Sequence, residues 1–231
     1  MNRKFTNIFN WTFDNILPPF IRDSKLFYST CYFAIFGNKA KYFAEFKKIA
    51  FFFSEAEFCR YYEFLSDKHI QRETDLNEKS ISLILKEIEG DSVLDIACGR
   101  GYLVKKIAEN LNIKVIGMDM ILPKVVKSNK LITYVVGNIE NIDLETNSID
   151  TVICAHTLEH VQNINAAIAE LRRVAKHKLI VVLPCQREYK YTFDLHLHFF
   201  PYPYSIQRVF GNENAKITKV GNDFVYVETY T

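Results

Sequence analysis

The stretch from Val93 to Gly101 has the residue types of a ligand-binding loop. It reads VLDIACGRG, an apolar run followed by two glycines and the start of a helical pattern. Glycine lets the backbone approach a ligand at the carboxyl end of a strand, where open α/β sheets bind their ligands. Asp119 ends the next apolar run, where a carboxylate can accept both hydrogen bonds of a ribose diol. This spacing predicts a nucleoside-containing cofactor.

Two classes of cofactor satisfy that geometry. A dinucleotide site has the pattern G-x-G-x-x-G, and here Gly99 and Gly101 are followed by Val104 at the third position. Asp95, at the end of the first run, would repel a pyrophosphate but suits a positively charged amine or sulfonium. The charge argument therefore favours S-adenosylmethionine over a nicotinamide dinucleotide.

Five segments in order resemble the motifs of the class I S-adenosylmethionine-dependent methyltransferases. They are VLDIACGRG (93–101), VIGMDM (115–120), VVGNIENI (135–142), NSIDTVICAHTLEHV (147–161) and RRVAKHKLIVVLP (172–184). The resemblance runs from about residue 80 to the C-terminus and is to the small-molecule, ubiquinone-biosynthesis-like branch. It implies an α/β, Rossmann-like fold whose seven-stranded sheet has the order 3-2-1-4-5-7-6, with strand seven antiparallel.

The resemblance also implies a set of cofactor contacts. Ala97 stands where the family commonly has Gly and would offer its carbonyl to the methionine amine, and Asn138 stands where an Asp usually binds the adenine amino group. Arg72 would bind the cofactor's carboxylate, with a solvated helix charge as the competing interpretation. The full predicted set is Arg72, Asp95, Ala97, Gly99, Gly101, Tyr102, Asp119, Met120, Asn138, Ile139 and His156.

Histidines are the candidates for a general base, which a hydroxyl acceptor needs. We predict His198 and His160 as catalytic residues, although His160 in LEHV could equally be a structural cap. If the segment DLHLHF is extended, Asp194, His196 and His198 share one face, which also suits a metal or two histidines bound by loop backbone. We favour no metal. The predicted acceptor contacts are His196, Tyr189 and Tyr191.

Two sequence patterns divide the chain near residue 90. From Asp91 onward, short apolar runs alternate with helical stretches, as in a parallel sheet covered on both faces. Lys216–Val220 and Phe224–Thr229 are spaced as an antiparallel hairpin across Gly221. We therefore expect a methyltransferase core over residues 91–231.

Residues 1–90 are predicted to form a helical appendage or lid. The first 64 residues hold 20 of the 33 aromatic residues, and between Lys39 and Ser66 apolar residues recur at helical spacing. Core packing, a lid or substrate wall, and an interfacial membrane helix are three interpretations of these aromatics.

The composition limits the classes of partner. Among 231 residues the net charge is +2 with no basic block, which argues against duplex nucleic acid as a ligand. Five scattered cysteines favour free thiols in a reducing compartment, and no apolar run approaches the ~20 residues of a membrane span. We expect a cytoplasmic protein, with peripheral membrane contact and the oligomeric state left open.

The expected activity is methyl transfer from S-adenosyl-L-methionine to a small molecule, leaving S-adenosyl-L-homocysteine. The N-terminal third, including ILPPFIRDSKLFY and HIQRETDLN, resembles methyltransferases from bacterial surface-polysaccharide clusters. This resemblance implies as acceptor a sugar, nucleotide-linked or phosphate/phosphoramidate-type group in surface polysaccharide biosynthesis. A non-catalytic cofactor-binding scaffold and a nicotinamide-dependent oxidoreductase are the alternatives.

Overall fold

The chain forms two compact units. The computed structural model describes residues 11–12, 16–65, 73–188, 190–191 and 194–230. The first unit consists of residues 1–71 with 186–201, and the second of residues 72–185 with 202–231. The sequence-based division at residue 90 remains a prediction.

The first unit is built from short helices rich in aromatic residues. They are α1 (Pro19–Arg22), α2 (Lys25–Phe36), α3 (Ala40–Ile49) and α4 (Glu55–Leu65). Phe36 stacks on Phe43 with ring centroids 3.8 Å apart, and the Phe46 ring lies 5.9 Å from that of Tyr62. Many of the aromatics thus form the core of this unit. No helix in the described part of the chain is long and apolar enough to cross a membrane.

The helical pattern between Lys39 and Ser66 is interrupted. A short 3₁₀ turn, Ala50–Phe52, follows α3, and the chain then turns at Ser54. The Ser54 hydroxyl accepts from the Glu57 amide (3.4 Å), while the Glu57 carboxylate accepts from the Ser54 amide (2.8 Å). This reciprocal pair is a capping box, which satisfies two backbone donors and starts α4 as a separate helix.

The second unit contains a seven-stranded sheet. Its order is β3-β2-β1-β4-β5-β7-β6, as the sequence predicted. The strands are β1 (Ser92–Ile96), β2 (Lys114–Asp119), β3 (Ile132–Val136), β4 (Ile149–Ala155), β5 (Ala175–Pro184), β6 (Lys216–Val220) and β7 (Asp223–Thr229). β1 to β5 are mutually parallel, whereas β7 is antiparallel to both β5 and β6.

Helices cover this sheet through apolar faces. They are α5 (Glu78–Glu87), α6 (Tyr102–Leu111), α7 (Ile164–Val174) and α8 (Pro203–Phe210). On α6 the buried side chains include Leu103, Val104 and Ile107, which join the core of the sheet. Val104 therefore has a packing role at the position where a dinucleotide fingerprint has its third glycine.

The start of α5 is tied to the start of β7. The Asn77 side chain caps the helix by accepting from the Ser80 amide (2.9 Å). Its amide nitrogen donates to the Asp223 carboxylate (2.7 Å) and to the Val220 carbonyl (3.2 Å). One polar side chain thus fixes the helix against the β6–β7 turn and holds Asp223 in place.

Candidate functional site

Two carboxylates lie at the carboxyl ends of neighbouring strands. Asp95 is near the end of β1 and Asp119 is the last residue of β2, and the register pairs Asp95 with Gly117. One oxygen of Asp119 accepts from the Gly99 amide (2.8 Å) and the other from the Ile121 amide (3.0 Å). Since each carboxylate oxygen has a further lone pair, both remain able to accept from a ribose diol.

The loop between β1 and α6 has a left-handed backbone at three positions. Ala97, Gly99 and Gly101 have φ of 57°, 53° and 71°. A side chain costs about 1–2 kcal/mol in this conformation, so the Gly that the family commonly has at the position of Ala97 would be less strained. The loop is held by the Cys98 amide, which donates to the Met118 carbonyl (3.0 Å).

The two glycines of this loop have different surroundings. A Cβ on Gly99 would meet no atom within 4 Å, so the backbone faces open space there. A Cβ on Gly101 would instead collide with the Tyr134 side chain. Gly101 is therefore required by packing as well as by φ, whereas Gly99 leaves room for a ligand. The buried Tyr134 hydroxyl makes no hydrogen bond within the described residues.

The fold destabilises the ionised form of the Asp95 carboxyl group. Its side chain is almost fully buried, at 3% exposure. Burial, and secondarily the nearby Asp119 carboxylate, raises the pKa of Asp95 to about 8. A positively charged ligand would favour the ionised form, because an opposite charge lowers the pKa of a carboxyl group. The site therefore suits a ligand that combines a ribose with a cationic group.

Asn138 and Ile139 follow β3. The Asn138 amide oxygen accepts from the Glu140 amide (2.9 Å), which closes a local turn, and Ile139 is buried. Tyr102 begins α6 and is half-buried, and Met120 follows Asp119 directly. These positions lie at the carboxyl end of the sheet with Asp119, and their contacts with the adenosine part of a cofactor remain predictions.

His156 lies between two buried carboxylates after β4. Its Nδ1 is 3.5 Å from Glu159 and its Nε2 is 3.5 Å from Asp223. Burial alone would lower the pKa of His156, but the two acids raise it to about 10. The imidazolium thus links the end of β4 to the start of β7. These two contacts of His156 were not predicted from the sequence. A contact between His156 and the cofactor remains a prediction.

Three predicted acceptor-side residues belong to the first unit. The His196 Nδ1 is 2.5 Å from the Gln186 side-chain oxygen, the Tyr191 ring stacks on Tyr28 at 3.4 Å, and the His198 ring lies 6.1 Å from that of Phe51. Residues 194–199 form no strand, and His196 is buried along with Leu195 and Leu197. The alternating arrangement expected of an extended segment is therefore not formed.

The other predicted positions are placed as follows. His160 is half-buried in the second unit, where its amide donates to the Thr157 carbonyl (2.8 Å). Arg72 and Tyr189 lie outside the described residues.

The part of the chain that is similar to a known family contains the carboxylate site. Residues 94–183 match the family model described as a methyltransferase domain. The match covers 90 of the 231 residues, and over this stretch the chain is similar to that domain. The matched residues extend from β1 to β5 and include Asp95, the glycine loop, Asp119 and His156.

Individual proteins resemble this domain and its fold. The uncharacterized protein MJ0638 of Methanocaldococcus jannaschii is 34% identical over 110 residues, which are 46% of this chain and 47% of that protein. The chain thus spans about half the length of this curated relative.

Two solved structures share the fold at low sequence identity. A SAM-dependent methyltransferase from Aquifex aeolicus is 16% identical with a TM-score of 0.53, over 72% of this chain and 97% of that one. The PH0226 protein from Pyrococcus horikoshii OT3 is 17% identical with a TM-score of 0.53, over 73% and 99%.

The residues at this carboxyl edge of the sheet fit S-adenosylmethionine. The match to the methyltransferase domain model agrees with this cofactor, which the sequence analysis predicted. The paired oxygens of Asp119 suit the ribose, the open side of Gly99 admits close approach, and buried Asp95 suits a cation. A pyrophosphate would place negative charge beside two carboxylates that already repel each other.

Two residues of the site escaped the sequence analysis. Asp223 lies 67 positions after His156, and only the antiparallel pairing of β7 with β5 brings it to the end of β4. Tyr134 lies in the middle of β3 and reaches Gly101 because β3, β2 and β1 are adjacent. Neither carries a local motif, so only the sheet order could have indicated these contacts.

The role of Asp119 is tested by Asp119→Ala. We expect the dissociation constant for S-adenosylmethionine, measured by calorimetry, to increase about 100-fold, because two charge-assisted hydrogen bonds are lost. Asp119→Asn is the matched control, since it keeps one acceptor oxygen and should cost less. Unchanged affinity in Asp119→Ala would refute the ribose contact.

The pKa of Asp95 predicts a pH-dependent affinity. With a pKa of about 8, the ionised fraction of Asp95 increases about tenfold between pH 6 and pH 7. A cationic ligand that binds the ionised form should gain about tenfold in affinity over this interval, with release of a proton. Calorimetry in buffers of different ionisation enthalpy measures both. Asp95→Asn should bind with little pH dependence, and a flat profile in the unaltered protein would contradict the assignment.

The bridging role of His156 is tested by His156→Gln. Glu159 and Asp223 would lose their shared cation, so the free energy of unfolding should decrease by about 3 kcal/mol at pH 6. Because folding raises the pKa of His156, its stabilisation is full below about pH 6.5 and is lost as the pH increases through about 10.

The matched control for this measurement is His177→Gln. His177 is half-buried on β5, with a side chain 37% exposed and 3.7 Å from Asp150, and such surface pairs contribute less than about 1 kcal/mol. Equal effects of the two substitutions in urea denaturation would show that His156 is not a buried bridge.

Proposed function

We propose that the protein catalyses methyl transfer from S-adenosylmethionine to a hydroxyl of a small molecule that carries a sugar, a nucleotide or a phosphate-type group. The observation that carries the donor side is the pair of carboxylates, buried Asp95 and half-buried Asp119, beside the open backbone of Gly99. A surface-polysaccharide pathway in the cytoplasm is the proposed setting, and its support is the resemblance of the N-terminal third to methyltransferases from bacterial surface-polysaccharide clusters.

Bound S-adenosylmethionine supplies a methyl group already activated on a sulfonium. The work of this chain is then mainly to bind and to orient. Asp119 is held by the backbone amides of Gly99 and Ile121, so its oxygens are preorganised toward the ribose. Asp95 in its ionised form would face the cationic end. Such orientation can replace several kcal/mol of activation free energy.

The acceptor side of the proposal rests on histidine and tyrosine side chains. A hydroxyl acceptor gains about 10²–10⁴-fold from a general base, and His198 and His160 are the proposed bases. The Tyr191 ring, stacked on Tyr28, is the kind of flat aromatic surface that binds sugars or nucleobases. We propose His196, Tyr189 and Tyr191 as acceptor contacts.

The proposal is tested by following the labelled methyl group of S-adenosylmethionine into a panel of nucleotide sugars. For an acceptor that is methylated, His198→Ala should lower kcat about 100-fold and leave the dissociation constant of S-adenosylmethionine unchanged. His177→Ala is the matched control and should retain the full rate.

Two results would contradict parts of this proposal. A full rate in His198→Ala would reject His198 as the base and make His160→Ala the next test. Tight binding of S-adenosylmethionine without methylation of any sugar, nucleotide or phosphate acceptor would instead favour the non-catalytic scaffold.

A further inference from the structure

Helix α2 is apolar on most of its circumference. Its sequence, KLFYSTCYFAIF, has a single charged residue, Lys25, and no acidic residue. Only Tyr32 and Phe36 of this helix are buried. A helix that is apolar all round is ordinarily covered on all sides. The exposed side of α2 is therefore unusual for a helix of this composition.

One exposed face of α2 carries Leu26 and Phe33, seven residues apart. Leu26 is 82% exposed and Phe33 is 68% exposed. Between them lie Ser29 and Thr30, whose hydroxyls both donate to the Leu26 carbonyl, at 3.1 and 3.0 Å. Because these donors are satisfied within the helix, placing this face in a less polar medium costs little hydrogen bonding. The face is effectively apolar along two turns.

Further exposed aromatics lie in the same unit. Phe20 of α1 is 78% exposed, and Phe52 of the 3₁₀ turn after α3 is 85% exposed. Single exposed apolar residues are ordinary on protein surfaces, whereas a group of large ones can mark an interaction site. We call Phe20, Leu26, Phe33 and Phe52 the aromatic patch.

The charge of this region identifies the class of partner. The first 54 residues contain eight Lys and Arg against three Asp and Glu, a net charge of +5 in a chain whose total is +2. Lys25, Lys41 and Lys48 are exposed here, against one exposed acid, Glu45, in residues 16–54, whereas the exposed acids of α4 (Glu55, Glu57 and Glu63) follow this segment. The remainder of the chain is therefore negative overall. Positive charge is concentrated in the segment that carries the aromatic patch.

We propose that the aromatic patch docks the protein on an anionic membrane surface. Apolar side chains combined with nearby lysines are the features by which interfacial helices bind lipid. At 12 residues α2 is about 18 Å long, too short to span a bilayer, so it would lie in the plane of the interface. Each lysine near an anionic surface adds to the attraction, and salt weakens this part of the binding.

The test is flotation of the full chain with lipid vesicles. Vesicles of phosphatidylcholine with 30 mol% phosphatidylglycerol, a composition chosen for this assay, are compared with pure phosphatidylcholine at low and high salt. We expect binding to the anionic vesicles, weakened by salt, and little binding to the neutral ones. Leu26→Gln/Phe33→Gln should lower the partition coefficient by about tenfold or more, because two large apolar side chains are removed from the contact.

Two variants separate the patch from a general effect of substitution. Val125→Gln replaces an apolar residue that is 61% exposed in the second unit, and it should bind vesicles as the unaltered protein does. Lys25→Glu/Lys41→Glu should weaken binding to anionic vesicles only. All variants should retain the circular dichroism spectrum and the thermal unfolding of the unaltered protein, which verifies folding of both units without any measurement of methyl transfer.

Three results would overturn the proposal. They are equal binding to neutral and anionic vesicles, absence of binding to both, and a dimer in solution that Leu26→Gln/Phe33→Gln dissociates. The last would show that a second copy of the chain covers the patch. Since the readout is lipid binding, it is independent of the proposed methyl transfer.

Discussion

The proximity of two carboxyl groups, one buried and one half-buried, at the edge of one sheet is the constraint on which the site depends. Asp95 and Asp119 lie on adjacent parallel strands, so the fold places them close together in a region where burial disfavours their charge. The protein offsets part of this cost at Asp119 with two backbone amides. At Asp95 burial of the charge raises the pKa of the carboxyl group, and a cationic ligand would lower this pKa again. The electrostatics of the site therefore favour a cationic ligand over an anionic one.

A second charged cluster has the opposite character. His156 is stabilised as a cation because Glu159 and Asp223 face its two nitrogens, and Asp223 is itself held by Asn77 at the start of α5. This cluster joins β4, β7 and α5 around β5, which is the last of the parallel strands. The carboxyl edge of the sheet therefore has two kinds of charged group. In the His156 cluster opposite charges offset one another, which suits holding the fold. The charge of Asp95 is only weakly offset, which suits binding a ligand.

The sheet was predictable because its signals are local. Continuous apolar runs, the two glycines and the hairpin spacing at Gly221 each depend on neighbouring residues, and the seven-stranded order agrees with them. The partner of His156 was not predictable in this way, because it is set by the pairing of β7 with β5. The division of the first unit into α3 and α4 depends on the Ser54–Glu57 capping box, and the alternation of residues 194–199 is overridden by burial of Leu195, His196 and Leu197.

The central claim is that this edge of the sheet binds a cationic nucleoside in place of a dinucleotide. The most direct measurement is calorimetric titration of the full chain with S-adenosylmethionine, S-adenosylhomocysteine and NADH under identical conditions. The account predicts saturable binding of the first two at one site per chain and no binding of NADH. Binding of NADH, or of none of the three, would contradict it.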